Sequence, residues 1–255
     1  MPRQRGRYAE ARLADLTGKV ALVTGGSRGI GRAIAVSLAD AGAAVAVNYL
    51  QQAGQAHDFV EEIRGRGGRA TAVAADVSQG AAVTDMIAAV EATLGPVDIL
   101  VNNAGIGLVR GIDELTEADF DRTIAVNLKS AFLCMQAVLP GMRARGWGRI
   151  VNVSSGAARG AGAVGPHYNA SKAGLEGLTR GYAARLAKEG VTVNAVAPSL
   201  IETDMVRGGV ASSPARIPLG RFGTPEECAP FVMMLIGNAY MTGQTVALSG
   251  GLSFI

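Results

Sequence analysis

The 255-residue chain is poor in the residues that build metal sites and disulfide frameworks. It has two cysteines, Cys134 and Cys228, and two histidines, His57 and His167. They are scattered, form no CxxC and match no metal-ligand spacing, so no metal is expected. Two buried structural thiols in a reducing cytoplasm are the expectation. No run approaches the ~18 consecutive apolar residues of a membrane span, and no membrane partner is expected. Charge of one sign is also lacking. The first twelve residues hold Arg3, Arg5, Arg7 and Arg12 against Glu10; taking four from 24 basic and one from 21 acidic side chains leaves 20 of each. A neutral body argues against a nucleic-acid-binding face. Residues 1–14 lack the apolar stretch of a secretion signal and are short for a transit peptide, so they read as a flexible, solvated tail.

What is present is apolar material, at 49%, and 35 glycines. That is enough for a sizeable core and many close turns. Short apolar runs alternate with helical spacing. Strands are predicted at Lys19–Thr24, Ala43–Tyr49, Arg69–Ala75, Val97–Asn102, Arg149–Ser154, Val191–Ala197 and Thr245–Leu248. Helices are predicted at Ile30–Ala41, Gln52–Arg66, Gln79–Leu94, Thr116–Arg145, Tyr168–Glu189 and Pro225–Ile236. This alternation implies right-handed crossovers and a parallel sheet covered on both faces. No linker or repeat divides residues 15–255, so one α/β domain is expected. The irregular stretch Ser199–Thr224, rich in Gly, Pro and Ser, reads as a lid over a site.

Two ends of this plan carry chemistry. Thr24-Gly25-Gly26-Ser27-Arg28-Gly29-Ile30-Gly31 stands between the first strand and the first helix. Glycines there let backbone approach a pyrophosphate, and the helix N-terminus offers unpaired N–H groups. The second strand ends in Asn48-Tyr49, with no acid to hold a ribose 2′-hydroxyl, while Arg28 stands in the glycine turn. Together these favour NADP(H) over NAD. At the other end, Tyr168 and Lys172 are spaced i, i+4 on one helix face, on an arc with Leu175, Leu178, Tyr182 and Leu186 that reads as the buried stripe. A buried lysine beside a phenol favours phenolate and is expected to lower the tyrosine pKa. Ser154-Ser155 close strand five, Asn102-Asn103-Ala104-Gly105 close strand four, and Asn127 lies inside a helix, where asparagine is a poor former. His167 reads as a loop histidine, and Trp147 as packing.

These residues jointly resemble the short-chain dehydrogenase/reductase family over nearly all of Leu16–Ile255. The matching motifs are TGGSRGIG, Asp76-Val77, NNAG, Asn127, Ser155 and Tyr168-Asn169-Ala170-Ser171-Lys172. The resemblance implies a doubly wound Rossmann-type domain with seven parallel strands in the order 3-2-1-4-5-6-7. It implies cofactor contacts at Gly25, Ser27, Arg28, Gly29, Ile30, Gly31, Asn48, Tyr49, Asp76, Val77, Asn103, Ala104, Gly105, Tyr168 and Lys172. Asn194–Pro198, Pro198 among them, and Thr203 would line the nicotinamide side. By the same resemblance Ser155 polarises a carbonyl, Tyr168 donates the proton, Lys172 binds the nicotinamide ribose and Asn127 holds a water that relays protons.

Within the family, VNY, NLKSAF and IETDM look most like 3-oxoacyl-[acyl-carrier-protein] reductases. Departures are Ser199 after Pro198, a shorter lid, Ser249 before the last glycine pair, and Leu133 and Glu189 where docking arginines often stand. A ketone of another kind, a sugar, or a non-catalytic cofactor-binding scaffold stay open beside the 3-oxoacyl thioester. A cytoplasmic homotetramer of D₂ symmetry is expected, since the two long helices carry apolar residues beyond one stripe, among them Ala131, Leu139 and Met142.

Overall fold

In the computed structural model, which describes residues 15–207 and 213–253, seven parallel strands lie in the order β3-β2-β1-β4-β5-β6-β7. They are β1 Val20–Val23, β2 Ala44–Tyr49, β3 Ala70–Ala74, β4 Ile99–Asn102, β5 Gly148–Val153, β6 Val191–Pro198 and β7 Thr245–Leu248. Both the strand count and the order are as expected from the sequence. The expected tail, residues 1–14, lies outside the described residues, as do 208–212 of the expected lid.

The sheet explains why its strands read as continuous apolar runs. Side chains alternate between faces, and both faces are buried. Ala21, Val23, Val45, Val47, Val101 and Val151 face one layer, with α1 (Gly29–Asp40), α2 (Ala53–Gly65) and α7 (Pro225–Gly237). Val20, Leu22, Ala44, Leu100, Ile150 and Val193 face the other, with α3 (Gly80–Leu94), α5 (Ser130–Ala144) and α6 (Pro166–Leu186). Burying each Val, Leu or Ile contributes about 1.5–3 kcal/mol, so two dry layers supply the main stabilisation.

The helix expected at 116–145 is a single rod with a flaw in it. Thr116 caps α4 (Glu117–Ile124) through a reciprocal bond with Asp119. Ala125–Lys129 then forms a π-turn before α5 begins. Extra residues of this kind inside a helix are frequent at functional sites, and Asn127 sits in the middle of this one. By length and composition the rod Glu117–Ala144 could cross a membrane. Its apolar face instead packs on α3, β4 and β5. Ala131, Leu139 and Met142, expected as surplus for pairing between copies, are buried within the chain. The apolar side chains the rod does expose are Phe120 and Phe132, 43% and 41% exposed.

Helix α6 begins two residues before the predicted start, with Pro166 in its first turn. Proline suits that position, because its fixed φ is helical and no N–H is needed there. His167 therefore lies in the helix, fully buried, and is not a loop residue. The buried face of α6 is also rotated from the expected arc. Leu178 and Tyr182 are only partly buried, while Glu176 and Thr179 go inside. The polar pair is tolerated because each has partners: Thr179 Oγ1 accepts from Asn152 Nδ2 at 2.9 Å, and Glu176 Oε2 accepts from Arg159 Nε at 2.9 Å. Trp147, just before β5, is flanked by Lys19 and Arg149, at 4.0 and 4.5 Å from its ring centre. It is packing, as expected. Cys134 and Cys228 are free and buried, and burial pushes both thiols up to about 12.

Candidate active site

Strand order reverses between β1 and β4, so their connections leave in opposite directions and open a crevice at the carboxyl edge. The glycine turn fills one side of it. Gly25 has φ +59°, a left-handed conformation open to glycine. Gly31, the second place where glycine is required, is held so close to the turn that a Cβ would stand 2.4 Å from Gly25 O and 2.5 Å from Asn103 Nδ2. Strand end, turn and helix N-terminus thus form a cradle without side chains, which fits a pyrophosphate. Asn103 reinforces it by donating from Nδ2 to Thr24 O at 3.0 Å and Gly25 O at 2.9 Å. Thr24 Oγ1 accepts from the N–H groups of Asn103 and Ala104, both at 3.0 Å.

Several residues expected at the cofactor also hold the fold around it. Asn48 is buried beneath the turn. Its Oδ1 accepts from Gly25 N at 3.3 Å, and its Nδ2 donates to Val73 O and Ala75 O. It braces the turn from below, because a buried amide is committed to backbone partners. Tyr49, at the rim, meets His57 edge-on. Asp76 Oδ1 accepts from Ser78 N at 3.0 Å and Ser78 Oγ at 2.7 Å, a local turn cap. Val77 beside it is buried. Arg28 precedes α1 and donates to Asp204 Oδ2 at 2.7 Å; both side chains are exposed. Thr203 lies against Gly29. The base of the lid therefore rests on the glycine turn. Ser27 and Ile30 belong to that turn, and Pro198 ends β6 opposite Leu248.

The chemical side is built where β5 meets α6. Lys172, fully buried, donates from Nζ to Val153 O at 2.8 Å. Burial pushes it down to about 8. Tyr168 lies one turn earlier, its ring centre 5.7 Å from Lys172 Nζ. Ser155 follows β5 and caps the turn Gly156–Ala158, its Oγ accepting from Ala157 N at 3.2 Å. The Tyr168 phenol differs from the expectation: burial pushes its pKa up, and the opposing hydrogen bond comes from the Ser155 hydroxyl. Desolvation wins because the ring is buried with Ala157 and Val164. A phenol held in its protonated form is the state a proton donor needs.

Asn127 is committed too. Its Oδ1 accepts from Ile106 N at 2.8 Å, and its Nδ2 donates to Ile106 O at 3.0 Å and Ser171 Oγ at 3.2 Å. The π-turn aims the amide at the loop after β4. A Cβ on Gly105 would meet Asn127 Oδ1 at 3.3 Å and Lys172 Nζ at 3.6 Å, which puts Gly105 and both side chains in one place. His167 fixes the same loop further on, through Nε2 and Leu108 O at 2.9 Å. Beyond it, Met205 and Val164 close over Gly107. Sequence reasoning did not single out Glu176 or Arg159, whose carboxylate and guanidinium meet at 2.9 Å behind Ser155. A carboxylate eight residues after Tyr168 and four after Lys172, on their face, is the signal that could have found Glu176.

A Ser–Tyr–Lys group beside a dinucleotide cradle, on a sheet of this order, agrees with the family comparison: a model described as short chain dehydrogenase matches residues 19–212. The chain belongs to the short-chain dehydrogenase family. This short-chain dehydrogenase is an oxidoreductase, and its family binds a nicotinamide cofactor. It is 43% identical over 242 residues to a 3-oxoacyl-[acyl-carrier-protein] reductase from Staphylococcus epidermidis, covering 92% of this chain and 98% of the relative. It is 42% identical over 247 residues to nodulation protein G from Azospirillum brasilense, with the same coverage. Among solved structures it is similar to a dehydrogenase/reductase from Sinorhizobium meliloti, with TM-score 0.86, 39% identity and 94% and 97% of the two chains covered. A blue fluorescent protein from a metagenomic library, in complex with NADPH, gives TM-score 0.88, 40% identity and coverage of 94% and 100%.

The cradle is open to a direct test. Gly31→Ala places a methyl group against Gly25 O and forces the turn away from α1. Nicotinamide cofactor affinity should fall by about tenfold or more, the cost of about 1.4 kcal/mol of misfit. Titration of cofactor fluorescence checks it; wild-type affinity in the variant would rule out the cradle as the pyrophosphate site.

Proposed function

We propose that the protein reduces a ketone to a secondary alcohol with NADPH, and that the substrate is a 3-oxoacyl thioester. The observation that carries this reading is Tyr168 on one helix turn with the buried Lys172, its ring centre 5.7 Å from Nζ, with Ser155 at the end of β5 to which Lys172 is bonded. Ser155 hydrogen-bonds the substrate carbonyl and polarises it. Tyr168 donates its proton to the carbonyl oxygen as that oxygen gains negative charge. Lys172 holds the ribose next to the ring, and its positive charge favours the tyrosinate left behind. A reduced nicotinamide bound there supplies the hydride. Asn127 fixes the loop wall at Ile106, and any proton relay through a water would start from Lys172 beside it.

The wall next to Tyr168 favours an acyl substrate over a sugar. Ala157, Val164 and Met205 are apolar and offer no hydroxyl partners. The relatives named as 3-oxoacyl reductases support the same class. Docking of a carrier protein would have to do without a positive charge at position 189, where Glu189 pairs with Arg143. We place the enzyme in the cytoplasm, as a tetramer of D₂ symmetry. The exposed Phe120 and Phe132 are suited to pairing the α4–α5 rod across a two-fold axis.

Three outcomes test the proposal. With acetoacetyl and longer 3-oxoacyl thioesters, sugars and cyclic ketones as substrates, Tyr168→Phe should lose turnover by about 10²-fold or more while still binding NADPH. Near-normal turnover in that variant would eliminate the mechanism. Cofactor choice rests on Arg28. An exposed ion pair such as Arg28–Asp204 contributes about 0–1 kcal/mol, whereas a charge-assisted phosphate bond contributes about 1.5–3 kcal/mol. The guanidinium should therefore leave Asp204 for a 2′-phosphate. Arg28→Ala should weaken NADPH by about tenfold and leave NADH unchanged; equal dissociation constants in the wild type would sink the preference. For assembly, light scattering at micromolar concentration should give four chain masses, and a monomer mass contradicts it.

A further inference from the structure

Beside the site, the mechanism leaves the buried charge of Glu176 unused. Glu176 lies one turn beyond Lys172 on α6, with its carboxylate 4% exposed. A carboxylate in that setting is costly unless it is fully partnered. Its partners are specific. Oε2 accepts from Arg159 Nε at 2.9 Å, and Oε1 accepts from Ser154 Oγ at 3.3 Å. The Ser154 hydroxyl also reaches Lys172 O at 3.3 Å. Ser154 immediately precedes Ser155, and Arg159 follows the turn that Ser155 caps. One carboxylate thus grips the chain on both sides of the residue that must aim at the substrate carbonyl. Ser155 itself is fastened within its own turn, to Ala157 N.

We infer that Glu176 and Arg159 are positioning residues: their ion pair clamps the β5–α6 turn to the helix that carries Tyr168 and Lys172, and so fixes Ser155 against Tyr168. The inference rests on the carbonyl-reducing mechanism proposed above. Neither side chain touches the reacting atoms. Their contribution is alignment, and misplacement by about 1 Å can cost about 10²-fold in rate. Arg159 is partly exposed, so the clamp is reached from solvent, while Glu176 is sealed inside.

The test separates alignment from stability. Arg159→Met leaves Glu176 buried without its cation, so it should both destabilise the fold and slow the reaction. The double variant Arg159→Met/Glu176→Leu removes the charge along with its partner, and an apolar pair of similar volume should recover thermal stability. Turnover of the best thioester substrate, NADPH dissociation constants and melting temperature are measured for wild type, both variants, Arg159→Lys and Tyr168→Phe. Positioning predicts that the double variant melts near wild type, binds NADPH normally and keeps KM, yet has kcat lowered by about tenfold or more. Arg159→Lys, which keeps a cation, should regain most of the rate. A double variant that recovers wild-type kcat along with its stability would show a purely structural pair and overturn the inference, as would a loss confined to KM. If Tyr168→Phe also turns over normally, or if no ketone in the set is reduced, the mechanism itself fails and the inference falls with it. An inactive Tyr168→Phe beside a fully active double variant rejects the clamp alone.

Discussion

An ammonium cannot be carried into a protein interior without an acceptor. The hydrogen bond from Lys172 Nζ to Val153 O is the contact on which the site's geometry turns. It ties α6 to the last residue of β5, fixes how far the helix can slide along the sheet, and thereby places Tyr168 above the strand's end. The parallel sheet does the rest. Every strand delivers its carboxyl end to one edge, so the glycine turn after β1, the loop after β4 and the Ser155 turn after β5 arrive together without any long connection.

The same economy accounts for the side chains that surround the crevice. Asn48, Asn103 and Asn127 are all amides that hold loops: Asn48 and Asn127 answer backbone N–H and C=O groups, and Asn103 answers two C=O groups. An amide can donate and accept at once, so each pins a stretch of chain that has no strand or helix partner. The crevice is thus lined by loops that behave as rigid elements. Around Thr203 the contacts with the glycine turn are lighter: Thr203 lies on Gly29, and the Arg28–Asp204 pair is exposed and weak enough to exchange.

Strand positions, the glycine turn and the Tyr168–Lys172 pair were legible in the sequence because each is a short-range pattern: an apolar run, a glycine cluster, an i, i+4 spacing; the strand order came from the family resemblance alone. What was not legible depends on partners distant in the chain. Glu176 goes unremarked until Arg159, 17 residues earlier, is folded beside it. The bracing role of Asn48 shows only when the carbonyls of Val73 and Ala75 are brought under it by β3. The π-turn at Asn127 adds a residue without changing composition, so helical spacing passes over it. Ala131, Leu139 and Met142 looked surplus because one helical stripe was counted, whereas the rod packs against both a helix and two strands. The tyrosine's protonation followed the same rule: a lysine nearby in sequence suggested a lowered pKa, and the enclosing apolar walls reversed it.

The position of Trp147 gives the molecule an optical property of its own. It is the sole tryptophan, and it stands at the amino end of β5, between two cations. Seven residues separate it from Ser155, the six of β5 and Ser154, a span of roughly 26 Å at about 3.3 Å per residue. The indole stands too far away to touch a dinucleotide bound in the crevice, so any change in its emission on adding NADPH would have to travel through space or through the sheet and not by contact.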